Sequence, residues 1–204
     1  MTVPTRYFTD CNPALIVSNH HQLPLPGEDN QTFEKDLPGD NTTAWGGAPI
    51  SQLLLETNNT TYPSGSWGFN LRDMEPKNLK ELVQYMVRAA GNDANFLLNI
   101  GPMPNGEIQP AFADRLHEMG KWMAAYCDTI YGTRSGPVKP GGWGATTQRA
   151  STLYVHVLDP LLRVLALPGI AKLLRDARLA RRNQRRLEHV RRQHGAATTA
   201  AFGG

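Results

Sequence analysis

The chain has 204 residues and a formal net charge of +3; with 40% hydrophobic, 8% aromatic and 19% charged residues it has the composition of a globular protein with enough apolar side chains for a core. Wholesale disorder is excluded, no apolar run approaches the roughly 18 residues of a membrane helix, and the opening Met1-Thr2-Val3-Pro4-Thr5-Arg6 lacks the basic, apolar and small-residue order of an export signal. The charge is unevenly spread: residues 172–192 hold nine Lys or Arg against Asp176 and Glu188, so the basic character belongs to a tail and the rest of the chain is mildly acidic.

Asn12-Pro13 is a turn signal, and the apolar run Ala14-Leu15-Ile16-Val17 ends at Ser18-Asn19-His20-His21. This reads as a short buried strand that delivers polar residues at its C-terminal end, the habit of a (β/α) barrel strand. Residues 22–65 are rich in proline and glycine and show no sustained periodicity. They read as one long loop, functional or disordered, with Leu53-Leu54-Leu55 as a brief buried segment next to Glu56.

Pro76 is expected to open a helix. Leu79, Leu82, Val83, Met86, Val87 and Ala90 recur at helical spacing opposite Lys77, Lys80, Glu81, Gln84 and Arg88, and Gly91 closes the run. Phe96 to Ile100 reads as a short buried strand and Pro104-Asn105-Gly106 as a turn. Pro110 starts a second helix that carries Phe112, Leu116, Met119 and Met123 inward. Gly136-Pro137-Val138-Lys139-Pro140-Gly141-Gly142 marks a boundary, beyond which Trp143, Thr146 and Thr147, then Thr152 to Leu158, read as two strands joined by a polar turn. Residues 161–194 read as basic and helix-compatible, interrupted at Pro168-Gly169, and the small residues from Gly195 onward as disordered. Cys11 and Cys127 lack metal-ligand spacing and read as free or buried thiols.

Four ordered motifs carry a resemblance. Ser66-Trp67-Gly68-Phe69-Asn70 is followed by Leu97-Leu98-Asn99-Ile100-Gly101-Pro102, by Asn105-Gly106-Glu107-Ile108, and by Ile130-Tyr131-Gly132-Thr133-Arg134. Together they resemble the second half of glycoside hydrolase family 29, the retaining α-L-fucosidases. The stretches 25–34 and 154–159 are similar to bacterial members, and the resemblance spans roughly residues 12–160.

The resemblance implies an α/β fold: a partial (β/α)8-like barrel over residues 1–136, the start of a β-sandwich domain over 137–168, and over 169–204 a basic tail, helical and then disordered. It implies hydrolysis of terminal α-L-fucose by double displacement, with a fucosylated glycan or oligosaccharide as partner, no cofactor and no metal. Retaining chemistry of this kind takes two carboxyl groups about 5–5.5 Å apart, one attacking the anomeric carbon and one protonating the leaving oxygen. The family's nucleophile motif, Trp-Phe/Ser-Asp-Gly, does not occur in this sequence. The chain is also short of the ~250 residues of a complete barrel, so it is expected to be an inactive fragment by itself.

Within the resemblance, Glu34 is the first choice for the acid/base, thirteen residues after His21 in Thr32-Phe33-Glu34. Glu56 is the second, and Glu28, Asp29 or no residue of this stretch remain alternatives; a solvated loop carboxylate is the plain alternative for Glu34. Trp67 fits the aromatic that packs on the C5 methyl face of fucose. His20 and His21 stand where many members have Asp-Arg, so His21 would replace an arginine that holds a sugar hydroxyl. Asn99, Gly101 and Pro102 are expected to be architectural. Asn41, Asn58 and Asn59 each begin an Asn-x-Thr sequon, of consequence only in a secreted eukaryotic product.

A half-barrel leaves apolar surface uncovered, so oligomerisation or aggregation is expected, without a membrane partner. The competing reading is a non-catalytic binding protein that uses the basic stretch 172–192. Nucleic acid is not expected, because no aromatic lies between Lys172 and Arg192 to stack on bases.

Overall fold

The computed structural model describes residues 10–19, 26–40, 50–162, 164–167, 170, 190–191 and 198–201. Four strands, β1 (Ser18–Asn19), β2 (Asn30–Glu34), β3 (Leu54–Thr60) and β4 (Ala94–Asn99), form one parallel sheet in sequential order. Helix α1 (Leu79–Gly91) crosses from β3 to β4 and helix α2 (Pro110–Tyr126) follows β4. Parallel strands in sequence order joined by helices are the repeating unit of an α/β fold. Among the described residues the sheet stays open, with β1 and β4 as its edges.

The sheet has two chemically different faces. Strand register puts Phe33, Thr57 and Phe96 in one row and Leu55 and Ala94 in another. Phe33, Leu55 and Ala94 form one core cluster, while Phe96 and Leu98 pack on Leu82 and Met86 of α1 and Met119 of α2. Since alternate residues of a strand point to opposite faces, the rows Thr32–Glu56–Asn95, Glu34–Asn58–Leu97 and Thr60–Asn99 face away from the helices. That face is polar and partly open: Leu54 is 63% and Leu97 48% exposed.

This two-faced chemistry explains the main departure from the sequence reading. Residues 22–65 are not one loop, since β2 and β3 lie within them. In NQTFE and LLETNNT apolar side chains are few: Phe33 and Leu55 face the helices, Leu54 lies on the other face and the remaining positions are polar, so no regular alternation marks the strands; Asn and Glu are also weak strand formers. The run Ala14–Val17 is not a buried strand either. Among the described residues the strand is Ser18–Asn19, which pairs with β2 at the edge of the sheet, and Leu15 and Ile16 are 44% and 78% exposed.

Helix α1 starts at Leu79, three residues later than Pro76 implies. Asn78 caps it, its side chain accepting from the Glu81 N–H while the Glu81 carboxylate accepts from the Asn78 N–H, a reciprocal capping box. Leu82, Val83, Met86 and Val87 are buried as the periodicity requires. Helix α2 begins at Pro110 and buries Phe112 and Met119, with Met123 packed on α1; Leu116 is exposed rather than inward.

Beyond α2 a 3-10 turn (Cys127–Thr129) leads to an antiparallel sheet of β5 (Arg134–Ser135), β6 (Gly144–Arg149) and β7 (Thr152–Val157). The hairpin turns at Ala150, whose φ is +51°. The sheet is tied to α1: the Asp93 carboxylate, just past the helix end, pairs with Arg134 and accepts the Ser135 N–H, and Val83 and Val87 pack on Ala145.

Residues 161–194 were expected to be helix-compatible, but 164–167 form strand β8 (Val164–Leu167), with Leu165 and Leu167 buried and their neighbours exposed. That period of two, closed by contacts with Trp143, Leu153 and Val157, overrides the helix propensity of leucine and alanine. Strands β9 (Val190–Arg191) and β10 (Thr198–Ala201) complete a sheet in the order β8-β10-β9, where helix and then disorder were expected. The rest of the basic stretch, His20, His21 and Asn41 lie outside the described residues. Among the described residues no helix is long and apolar enough to cross a membrane.

Candidate active site

Glu34 is the last residue of β2, at the C-terminal edge of the parallel sheet, which is where α/β barrels carry their chemistry. It faces away from the helices beside Asn58. Glu56 lies on the same face but in register with Thr32, one row and about 6.6 Å further from that edge. Glu28 and Asp29 precede β2, at its opposite end, and the Asp29 carboxylate accepts the Val17 N–H at 2.7 Å.

The segment after β3 is folded back over this edge by a set of hydrogen bonds to backbone and side chains. The Thr60 hydroxyl donates to the Ser66 carbonyl at 2.7 Å, and the Gly65 N–H to the Tyr62 carbonyl at 3.0 Å in a turn where Gly65 has φ +83°. The Ser64 hydroxyl donates to the Asp73 carboxylate, and the Asn70 amide to the Ser66 hydroxyl at 2.9 Å. Tyr62 is fully buried against Phe112, 4.6 Å between ring centres, and its hydroxyl donates to the Gly101 carbonyl at 2.7 Å. Burial, and secondarily the charge of Asp73, pushes the Tyr62 phenol's pKa above its ordinary value, so it remains a donor.

The motif after β4 closes the arrangement from the other side. The Asn99 side-chain amide donates to the Trp67 carbonyl at 2.7 Å. Gly101 touches the backbone of Gly68 and Phe69 directly. Asn99 and Gly101 therefore hold the tryptophan segment in place, the architectural part expected of them. Lys77 braces the end of β3 from the helix side, its ammonium donating to the Asn59 side chain at 2.8 Å and to the Thr60 carbonyl at 2.9 Å. Burial pushes its pKa below the ordinary lysine value.

The outcome is a pair. The Trp67 indole N–H donates to the Glu34 carboxylate at 2.8 Å, joining two residues 33 apart in sequence. Lys35 places its ammonium 5.0 Å from the centre of the same indole, within the range of a cation–π contact. Asn58, 8% exposed and next to Glu34 in register, has a buried Oδ1 with no hydrogen-bond partner; the Oδ1 of Asn30, two rows lower, is in the same state. Buried acceptors without partners are uncommon, and both of these lie on the polar face. The sequons at Asn58 and Asn59 sit inside strand β3, where Asn58 is not accessible for glycosylation.

Lys35, Asn58, Tyr62 and Lys77 were not identified from sequence. Lys35 adjoins the first-choice carboxylate and was open to notice; Asn58 carried no signal once its strand had been read as loop.

The sequence over residues 2–128 matches the family described as Alpha-L-fucosidase. The chain is 32% identical over 106 residues to the alpha-L-fucosidase of Branchiostoma floridae, a match covering 48% of this chain and 23% of that protein. Among solved structures, alpha-L-fucosidase isoenzyme 1 from Paenibacillus thiaminolyticus superposes with a TM-score of 0.72 and 26% identity, over 96% of this chain and 48% of that one. A Thermotoga maritima alpha-fucosidase in complex with fucose matches with a TM-score of 0.67 at 20% identity, over 97% of this chain and 43% of that one, a likeness of fold. The chain thus spans about a quarter of the first relative and under half of these structures.

Proposed function

The chain belongs to the alpha-L-fucosidase family, and from that membership we propose that its described sheet edge is part of a site for a terminal α-L-fucosyl group, with Glu34 as the acid/base and Trp67 beside it. The observation that carries this reading is the hydrogen bond between the Trp67 indole and Glu34 at 2.8 Å. Each residue was drawn from a different motif, and their meeting at one strand end supports a common site. Position supports Glu34 over Glu56: Glu34 ends its strand, and Glu56 lies one row deeper.

In this reading Glu34 protonates the leaving oxygen and later accepts a proton from the attacking water. The Trp67 N–H orients its carboxyl group, and the indole offers an apolar surface to the sugar. The four-stranded sheet with its two helices corresponds to part of a (β/α) barrel, and the antiparallel strands beyond residue 137 to the start of a β-sandwich. Double displacement needs a second carboxylate, and the family's nucleophile motif is not in this sequence. The chain alone therefore binds without turning over.

Incubation with 4-nitrophenyl α-L-fucoside tests this, with no release of nitrophenol expected. Release that is lost in Glu34→Gln and kept in Glu56→Gln would overturn inactivity while upholding the acid. Release lost only in Glu56→Gln would move the acid to Glu56.

A further inference from the structure

Three residues of the described chain other than glycine have a positive φ. Asp93 follows the end of α1, and Ala150 turns the β6–β7 hairpin. The third, Lys35 with φ +60°, directly follows Glu34 at the end of β2 and is not a residue type that favours the left-handed region. The side chain of Lys35 supplies a reason. In a regular strand Glu34 and Lys35 would point to opposite faces of the sheet, yet here both reach the same indole, one at its N–H edge and one over its ring.

The surroundings fit this. A Cβ added to Gly65 would stand 3.3 Å from the Lys35 ammonium nitrogen and 3.7 Å from its Cε, so the lysine head occupies space that glycine leaves open. The Lys35 N–H still donates to the Asn58 carbonyl at 2.8 Å, so the backbone departs from strand geometry without losing its ladder bond.

We infer that Lys35 is a positioning residue of this site: its ammonium, laid over the Trp67 ring, holds the indole in the orientation in which its N–H reaches Glu34. The ring cannot swing about its side-chain bonds without leaving both partners, and a cation over its face draws electron density from the ring and sharpens the N–H as a donor. One face of the indole is thereby committed to Lys35, so a sugar has to meet Trp67 on the remaining face or edge. The importance of Lys35 to fucose recognition rests on the reading of Glu34 and Trp67 given above; the three-residue geometry does not.

The test follows the Trp67 indole N–H by 15N NMR in the 204-residue chain, assigned by its loss in Trp67→Phe. In Lys35→Met the resonance is expected to move toward that of a free indole, with N–H exchange about three- to tenfold faster, the scale of a lost ammonium–indole contact. Lys35→Arg, which keeps a cation over the ring, is expected to restore both. An unchanged resonance and exchange rate in Lys35→Met would overturn the inference. Should Lys35→Met fail to fold, Lys35→Gln, which removes the charge and keeps a polar head, is expected to give the same signature, and an unmoved signal there overturns it equally. If L-fucose leaves the wild-type resonance unmoved while the lysine variants behave as expected, the functional reading fails and the positioning role stands.

Discussion

Gly101 and Gly68 are packed backbone to backbone: a Cβ on Gly101 would stand 2.5 Å from the Gly68 carbonyl carbon and equally close to the Phe69 nitrogen. The two sequence motifs are thus one structural unit. Gly101→Ala forces the segments apart, and because the obstructing atoms are backbone, the strain cannot be relieved by a rotamer change. A loss of about 1–3 kcal/mol is expected, the usual scale of overpacking, measured by urea unfolding. Wild-type stability in the alanine variant would show that the two motifs do not pack as one unit.

The end of α1 sets a second close approach. A methyl on Gly91 would meet the Ala145 Cβ at 2.7 Å and Pro140 Cγ at 2.8 Å. In an exposed helix, replacing glycine with alanine gains up to about 1 kcal/mol. Here the clash with β6 should outweigh that gain, so Gly91→Ala is expected to lower the thermal midpoint. A rise would mean that α1 and the antiparallel sheet separate freely.

The orphan acceptor at Asn58 leads to a prediction of opposite sign. Its buried Oδ1 has lost water without gaining a partner, a desolvation cost of roughly 1–3 kcal/mol. Asn58→Leu, similar in size, should raise the urea midpoint by an amount on that scale. If it lowers the midpoint, the amide is contributing bonds to the fold.

His156 makes the stability of the β6–β7 hairpin sensitive to acid. The Thr147 hydroxyl donates to the Thr129 carbonyl at 2.6 Å, so its contact with His156 Nε2 at 3.0 Å places the proton on Nε2. Burial holds the imidazole pKa below its ordinary 6.5. The unfolded chain therefore binds a proton more readily than the folded one. This contribution is fully present above the unfolded value near 6.5, declines as the pH falls below it, and stops changing beneath the lowered folded value. His156→Gln, which keeps a donor for Thr147, should unfold with a weaker dependence on pH between 7.5 and 5 than the wild type. Parallel profiles for the two proteins would contradict this.

The elements that could be read from sequence are those whose pattern follows burial on one side. Leu82, Val83, Met86 and Val87 predict α1 because that helix buries a single apolar stripe. Strands β2 and β3 escaped because the face they turn away from the helices is mostly polar: Glu34, Glu56 and Asn58 occupy positions that a plain core strand would fill with apolar residues. Trp67 and Glu34 were each legible through motif order, but their hydrogen bond was not, since it depends on how Thr60, Asn99 and Gly101 fold the tryptophan segment back over the sheet edge. Lys35 acquires meaning only from a backbone conformation that sequence did not announce. Before the basic tail, leucine and alanine favoured helix, and the alternating burial of Val164–Leu167 became visible only with Trp143 and Val157 in place.

The most direct test of the account is a titration of the 204-residue chain with L-fucose, read at the Trp67 indole N–H and repeated in Glu34→Gln and with D-galactose. The account predicts a saturable shift with L-fucose, at least tenfold weaker binding in Glu34→Gln, in keeping with loss of one hydrogen bond to a charged group, and little response to D-galactose. No saturable shift, or one unchanged by the Glu34 substitution, would contradict the claim that Glu34 and Trp67 together form a fucose site.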